Sequence, residues 1–125
     1  WDGIIKTMDK SSMDVIEKSY FTNHFSIEDK DKKVAEFVKN YKEFYKEDPT
    51  AFSALGYDTV YMIKEAFEKA SSDSNEDRIK ALKELNFDGI TGKFSFDENN
   101  NPQKAASIMR IENGEYRFDS IVNPR

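Results

Sequence analysis

Cysteine is absent from the 125 residues, and histidine occurs once, as His24. The first absence excludes disulfides, thiolate nucleophiles and thiolate metal sites, without choosing a compartment. The second excludes a site built from two histidines of one chain, the His-Glu-x-x-His zinc pattern among them. Glycine is scarce, at five residues, and neither a glycine-rich phosphate loop nor a serine-hydrolase elbow occurs. Apolar runs are short, as in Val60-Tyr61-Met62-Ile63, far below the ~20 residues a membrane helix needs. The chain opens with Trp1 rather than Met and without the charged, apolar and small-residue order of a signal peptide. The expectation is a chain that begins inside a longer gene product or after processing.

What is present describes a soluble globular protein: 38% hydrophobic and 34% charged residues, with a mean hydropathy of -0.79. Ten Phe, six Tyr and one Trp exceed the aromatic content of disordered tails. The net charge of -5 and pI near 5.0 repel phosphate backbones, so nucleic acid is not an expected partner. Basic residues are interleaved with acids, as in Lys39-Asn40-Tyr41-Lys42-Glu43, the mark of a solvated helix face.

Three helices are predicted in the middle of the chain. Between Asp31 and Lys46, the residues Val34, Phe37, Val38, Tyr41, Phe44 and Tyr45 recur at helical spacing. Pro49 stops that helix. From Ala51 to Ala70 a stripe of Phe52, Leu55, Thr59, Met62, Ile63, Ala66, Phe67 and Ala70 follows. Ser74, with Asp77 three residues on, resembles a capping box before a shorter helix carrying Ile79, Leu82 and Leu85. The flanks read as strands: Ser19 to Phe25, Lys93 to Asp97, Ala106 to Ile111 and Tyr116 to Val122. Asn113-Gly114 between the last two signals a type I′ hairpin. The strand near the start needs a partner, either among the C-terminal strands or outside the chain.

Catalytic chemistry finds no support. Asp97-Glu98-Asn99-Asn100-Asn101 imitates half a calcium loop, but Pro102 stands where glycine is required and Ile108 where glutamate is required. It reads as a turn, and no metal or cofactor is expected. His24 sits at an aromatic strand end, as a packed strand residue or as a polar group lining a cleft. Phe52 heads the longest stripe, a core position on pattern alone. Gly56 inside the helix costs about 1 kcal/mol relative to Ala, which suggests something packed closely against it.

In order along the chain, these segments resemble the leucine/isoleucine/valine-type periplasmic binding proteins. Trp1-Asp2 and Tyr20-Phe21-Thr22-Asn23-His24-Phe25-Ser26, followed by Glu28-Asp29, resemble the family's hinge region. Ala51-Phe52-Ser53-Ala54-Leu55-Gly56-Tyr57-Asp58-Thr59-Val60-Tyr61 is similar to its long helix. Gly89-Ile90-Thr91-Gly92-Lys93-Phe94-Ser95-Phe96-Asp97 resembles its Thr-Gly strand, and Ile111-Glu112-Asn113-Gly114 its final hairpin.

The resemblance implies an α/β chain forming the C-terminal part of a type I periplasmic-binding fold, two lobes joined by three crossing strands. Residues 1–25 would end the second lobe and form a hinge strand, 26–104 would supply helices of the first lobe, and 105–125 would return to the second. It further implies a non-enzymatic solute-binding protein. That protein would close its lobes over a branched-chain or similar amino acid and deliver it to the membrane permease of an ABC importer. Its place would be extracytoplasmic, in the periplasm or lipid-anchored as a lipoprotein. Phe52 matches an aromatic that contacts the ligand side chain, Trp1 a position at the cleft edge, and Asn23 and His24 lie where the hinge lines the cleft. An acidic ammonium-binding residue of the family falls before Trp1. A ligand-sensing ectodomain of the same fold is the alternative class. Helix stripes meant to cover a first-lobe sheet would make the isolated chain self-associate.

Overall fold

The computed structural model describes residues 4–124. Two three-stranded antiparallel sheets divide the strands between them. One has the order β1-β5-β6, from Tyr20–Asn23, Ala106–Glu112 and Glu115–Val122. The other has the order β2-β3-β4, from Phe87–Gly89, Gly92–Phe96 and Pro102–Lys104. Short helical turns, α1 (Ile4–Thr7) and α2 (Met13–Ile16), precede the first sheet, and three longer helices lie between β1 and β2. Among the described residues, no helix is long and apolar enough to cross a membrane.

The first strand finds its partner within the chain. β1 pairs antiparallel with β5, Tyr20 opposite Arg110 and Asn23 opposite Ser107. Just upstream, Lys18 N–H donates to the Ile111 carbonyl and Ile111 N–H to the Ser19 carbonyl, at 2.9 and 3.0 Å. β5 and β6 join through Asn113-Gly114, both at positive φ (54° and 72°), as a type I′ turn requires.

Helix α3 (Lys32–Tyr45) begins where the Asp31 carboxylate accepts from Lys33 N–H at 2.7 Å. It ends at Lys46, which adopts the left-handed conformation. Helix α4 (Ala51–Lys69) starts behind buried Pro49 with a reciprocal cap between Thr50 and Ser53. Ser53 Oγ also donates to Tyr41 Oη at 3.1 Å, tying the two helices. Helix α5 (Asn75–Lys83) begins where Ser74 Oγ accepts from Asp77 N–H. Phe25, Val34, Phe37, Ala54 and Ile90 form the core, with Val38 and Tyr41 packed against it.

Two expectations about α4 are corrected. The face it buries is Ala51, Ala54, Asp58 and Ala66, whereas Phe52, Val60, Ile63 and Phe67 are exposed, Phe52 at 84%. The helix is apolar on two sides: the small residues are the buried ones, while Tyr57 meets Phe37 of α3 and Phe67 lies under Arg78 of α5. Gly56 has open space around it: a Cβ there would meet nothing within 4 Å. The glycine that close packing requires is Gly89, where a Cβ would lie 2.4 Å from Asp58 Oδ2. Ile90 and Thr91 form the two-residue turn between β2 and β3, and Asp58 caps it. Its carboxylate accepts from Ile90 N–H (2.9 Å), Thr91 N–H (2.8 Å) and Thr91 Oγ1 (2.6 Å). Lys104 Nζ donates to Thr91 Oγ1 at 3.0 Å. Burial lowers the Lys104 pKa, against the pull of Asp58.

Candidate functional cleft

The chain passes twice between its two halves, and the passages lie side by side. Asn23 ends β1, and Phe25 is already in the helical core. Lys104 ends β4, and two residues later Ala106 opens β5. Because Asn23 pairs with Ser107, the two passages are neighbours at one end of the β1-β5 ladder.

A cleft of about 550 Å³ opens beside them. One wall comes from the β1-β5-β6 half: Phe21, Asn23, Met109 and Tyr116, with Ile5 from α1. The other comes from the segment entering α3 and from the start of α4, including Phe25, Pro49, Thr50 and Ala51. Alternation along β1 turns Phe21 and Asn23 to the same, half-buried face. Phe21 stacks edge-on against Tyr116 with ring centroids 5.4 Å apart. Tyr116 Oη accepts from Ile5 N–H at 3.2 Å, which seats α1 on the sheet. Apolar residues such as Phe21, Phe25, Ile27 and Met109 alternate in the walls with polar and charged ones such as Asn23, Ser26 and Thr50, a mixture that small-molecule sites use for burial and orientation.

Charge gathers at one end of the cleft. Glu28 Oε1 accepts from Arg117 Nη1 at 2.9 Å, and Oε2 accepts from Phe118 N–H at 2.8 Å. The backbone N–H of Phe118, followed by the Arg117 guanidinium, holds the Glu28 carboxyl below its ordinary value, with burial opposing. Arg117 also bonds Glu115 on its own strand, and both partners raise its pKa. Asp48, also in the lining, pairs with Lys42 at 2.5 Å.

Of the residues singled out from the sequence, Asn23 lies in the cleft lining. His24 is exposed just past the strand, its N–H donating to Asn23 Oδ1 at 2.9 Å. Phe52 follows the lining residue Ala51 but is not itself in the lining, and its side chain is exposed. Trp1 lies outside the described residues. Phe21, Glu28, Met109, Tyr116 and Arg117 were not anticipated. The period of two along β1 and β6 could have nominated Phe21 and Tyr116, but which sheet face meets the helices is not written in either strand.

A second concavity, of about 410 Å³, lies between α3, α4 and β2. Tyr57 and Tyr61 stack within it at 4.7 Å. The hydrogen bond with Tyr61 and burial push the Tyr57 hydroxyl up to about 12. Three of its carboxylates are matched by lysines: Asp88 with Lys33, Glu68 with Lys64 and Glu65 with Lys69. Among the described residues, no cluster of three His, Asp or Glu could hold a metal ion.

The family model described as periplasmic binding protein matches residues 1–115. No curated protein matches the chain. Among solved structures, a leucine binding protein from Thermotoga maritima is 32% identical with a TM-score of 0.73, covering 87% of this chain and 32% of its own. A branched-chain amino acid transporter substrate binding protein from Streptococcus pneumoniae, in complex with isoleucine, is 32% identical with a TM-score of 0.70. That match covers 84% of this chain and 30% of the other. A Rhodopseudomonas palustris solute binding protein of an ABC transporter, in complex with 3,4-dihydroxy benzoic acid, covers 98% of this chain and 34% of its own. Its TM-score is 0.78 at 20% identity, a likeness of fold alone. The chain spans about a third of the length of these structures.

Proposed function

The chain belongs to the periplasmic binding protein family, with the α/β architecture of the type I fold, and from that premise we propose that it works as the C-terminal third of an extracytoplasmic solute-binding protein. Such a protein captures a branched-chain or related amino acid and hands it to the permease of an ABC importer. The observation that carries this reading is the pair of adjacent passages at Asn23 and Ser107, beside a cleft whose walls come from both halves. That is how a hinge joining two lobes must be wired if the lobes are to close over a solute.

In this reading residues 1–25 and 105–125 belong to one lobe and residues 26–104 to the other. Asn23 and His24 act at the hinge. Phe52 acts as an apolar contact for the solute side chain, and Trp1 acts at the cleft edge. Phe52 is 84% exposed and directly follows the cleft residue Ala51, so its ring is available to a solute. The mechanism is binding without covalent chemistry. Secretion to the cell exterior, with or without a lipid anchor, follows from the role. The exposed row of Phe52, Val60, Ile63 and Phe67 on α4 should make residues 1–125 alone self-associate, and a monodisperse monomer by light scattering would count against this.

The test is a thermal-shift screen of the twenty amino acids against the full-length gene product. A solute at a hundredfold over its Kd adds about 2.7 kcal/mol of stability, several degrees in Tm. A shift with leucine, isoleucine or valine supports the assignment. Silence across all twenty would overturn the amino-acid reading.

A further inference from the structure

Glu28 belongs to one half of the chain by its backbone and to the other by its carboxylate. Phe25 and Ser26, three and two positions before it, are buried, and Phe25 packs in the helical core with Val34, Phe37, Ala54 and Ile90. Glu28 N–H donates to Ser26 Oγ at 3.1 Å, which fixes the direction of this turn. The carboxylate then reaches β6, taking Arg117 Nη1 on one oxygen and Phe118 N–H on the other. Among the described residues β6 is an edge strand, paired with β5, and its Phe118 N–H bonds Glu28. Arg117 is braced in turn by Glu115.

Two charge-assisted bonds to one carboxylate fix direction as well as distance. They act between halves that two short passages of chain also join. We propose that Glu28 is a strut across the cleft, a positioning residue that sets the angle between the helical layer and the terminal hairpin. The inference rests on the reading above that this cleft closes on a solute. Hinged lobes hold states of similar free energy, so a contact present in only one of them biases the population. The strut therefore acts on how readily the cleft opens.

The chain contains no cysteine, so Lys39→Cys on α3 and Asp119→Cys on β6 place one spin label in each half. Pulsed electron spin resonance on the labelled chain, diluted into excess unlabelled chain, reads the intramolecular distance alone. With Glu28 intact, a single narrow distribution is expected. Glu28→Ala should shift its mean and widen it about twofold. Glu28→Gln should fall between, because its amide oxygen can still accept from Phe118 N–H. Lys33→Met, which breaks an ion pair inside the helical half, should leave it unchanged. Retention of the parent distribution by both Glu28→Ala and Arg117→Met, with native circular dichroism, would overturn the strut. Equal widening in Lys33→Met would do the same. Should Glu28→Ala fail to fold, Arg117→Met decides by itself. No solute is present, so failure here leaves the amino-acid assignment standing, and a silent thermal-shift screen leaves these distances unaffected.

Discussion

Replacing Asp58 by alanine should be among the most damaging single changes in the chain. The carboxylate is 4% exposed and accepts three hydrogen bonds from a turn whose residues are themselves buried, Ile90 at 8% and Thr91 at 6%. Hydrogen bonds to a charged group contribute about 1.5–3 kcal/mol each, and removing one partner of a buried charged network costs about 3–5 kcal/mol. Water entering the space left by the side chain offsets part of this, so the expected loss is roughly 3–4 kcal/mol. That is a large share of the ~5–15 kcal/mol that holds a domain folded. Gly89→Ala attacks the same contact sterically. Its Cβ would lie 2.4–2.5 Å from the Asp58 carboxylate, a group pinned by three bonds and unable to yield, for a cost of about 2 kcal/mol. In an Asp58→Ala background the clashing atoms are gone, and the cost of Gly89→Ala should fall to near zero. The double variant therefore loses about 2 kcal/mol less than the sum of the singles. Urea unfolding followed by circular dichroism at fixed concentration measures all four corners of the cycle. Strict additivity, or an Asp58→Ala cost below about 1 kcal/mol, would refute the reasoning.

Three further outcomes are expected. The Glu28 carboxyl has a folded pKa below its ordinary value of 4.5. Its contribution is therefore present above pH 4.5 and lost as pH falls through the folded value. Acid unfolding curves should lose this component below that point, and Glu28→Gln should flatten the dependence there. Gly114→Ala forces alanine to a φ of 72° and should cost roughly 1–2 kcal/mol. The flexible Met13 Cε, 3.3 Å from the new Cβ, can move aside. Phe52→Ala, at a position 84% exposed, should change stability by less than about 0.5 kcal/mol. In the full-length protein it should weaken solute binding about tenfold or more by calorimetry, and unchanged affinity would remove Phe52 from the site.

How much was legible in the sequence follows the length of each element. Helices α3 and α4 were expected at 31–46 and 51–70 and lie at Lys32–Tyr45 and Ala51–Lys69, because several turns of periodicity and explicit caps mark them. β1, β3, β5 and β6 were readable from their runs of strand formers, and the turn from Asn113-Gly114 itself. The helical turns near the start were not, since four residues complete barely one turn. They are held by tertiary bonds, as Glu17 is to Asn113 N–H and Ile5 N–H to Tyr116. β2 and β4, three residues each, are too short to show alternation. Hydropathy assigned Phe52 to a core and left Asp58 unremarked, whereas the structure exposes the first and buries the second. A buried carboxylate is recognisable only with its three donors, and these lie 32 and 33 positions away. The cleft was legible only in part, through Asn23, because its walls are assembled from segments that meet solely in the folded chain.

The neighbouring passages at Asn23 and Ser107 also limit the kinds of motion open to the molecule. One flexible tether lets two bodies bend, swing and rotate about the connection. Two tethers bonded side by side as antiparallel strands behave as a flat ribbon, easy to flex across its face and hard to twist or shear in its plane. Relative movement is thereby reduced from several rotational coordinates to nearly one. Under the proposed closure, a cleft wired this way meets the same opposing surface each time, and registration of the two walls is built into the connection itself.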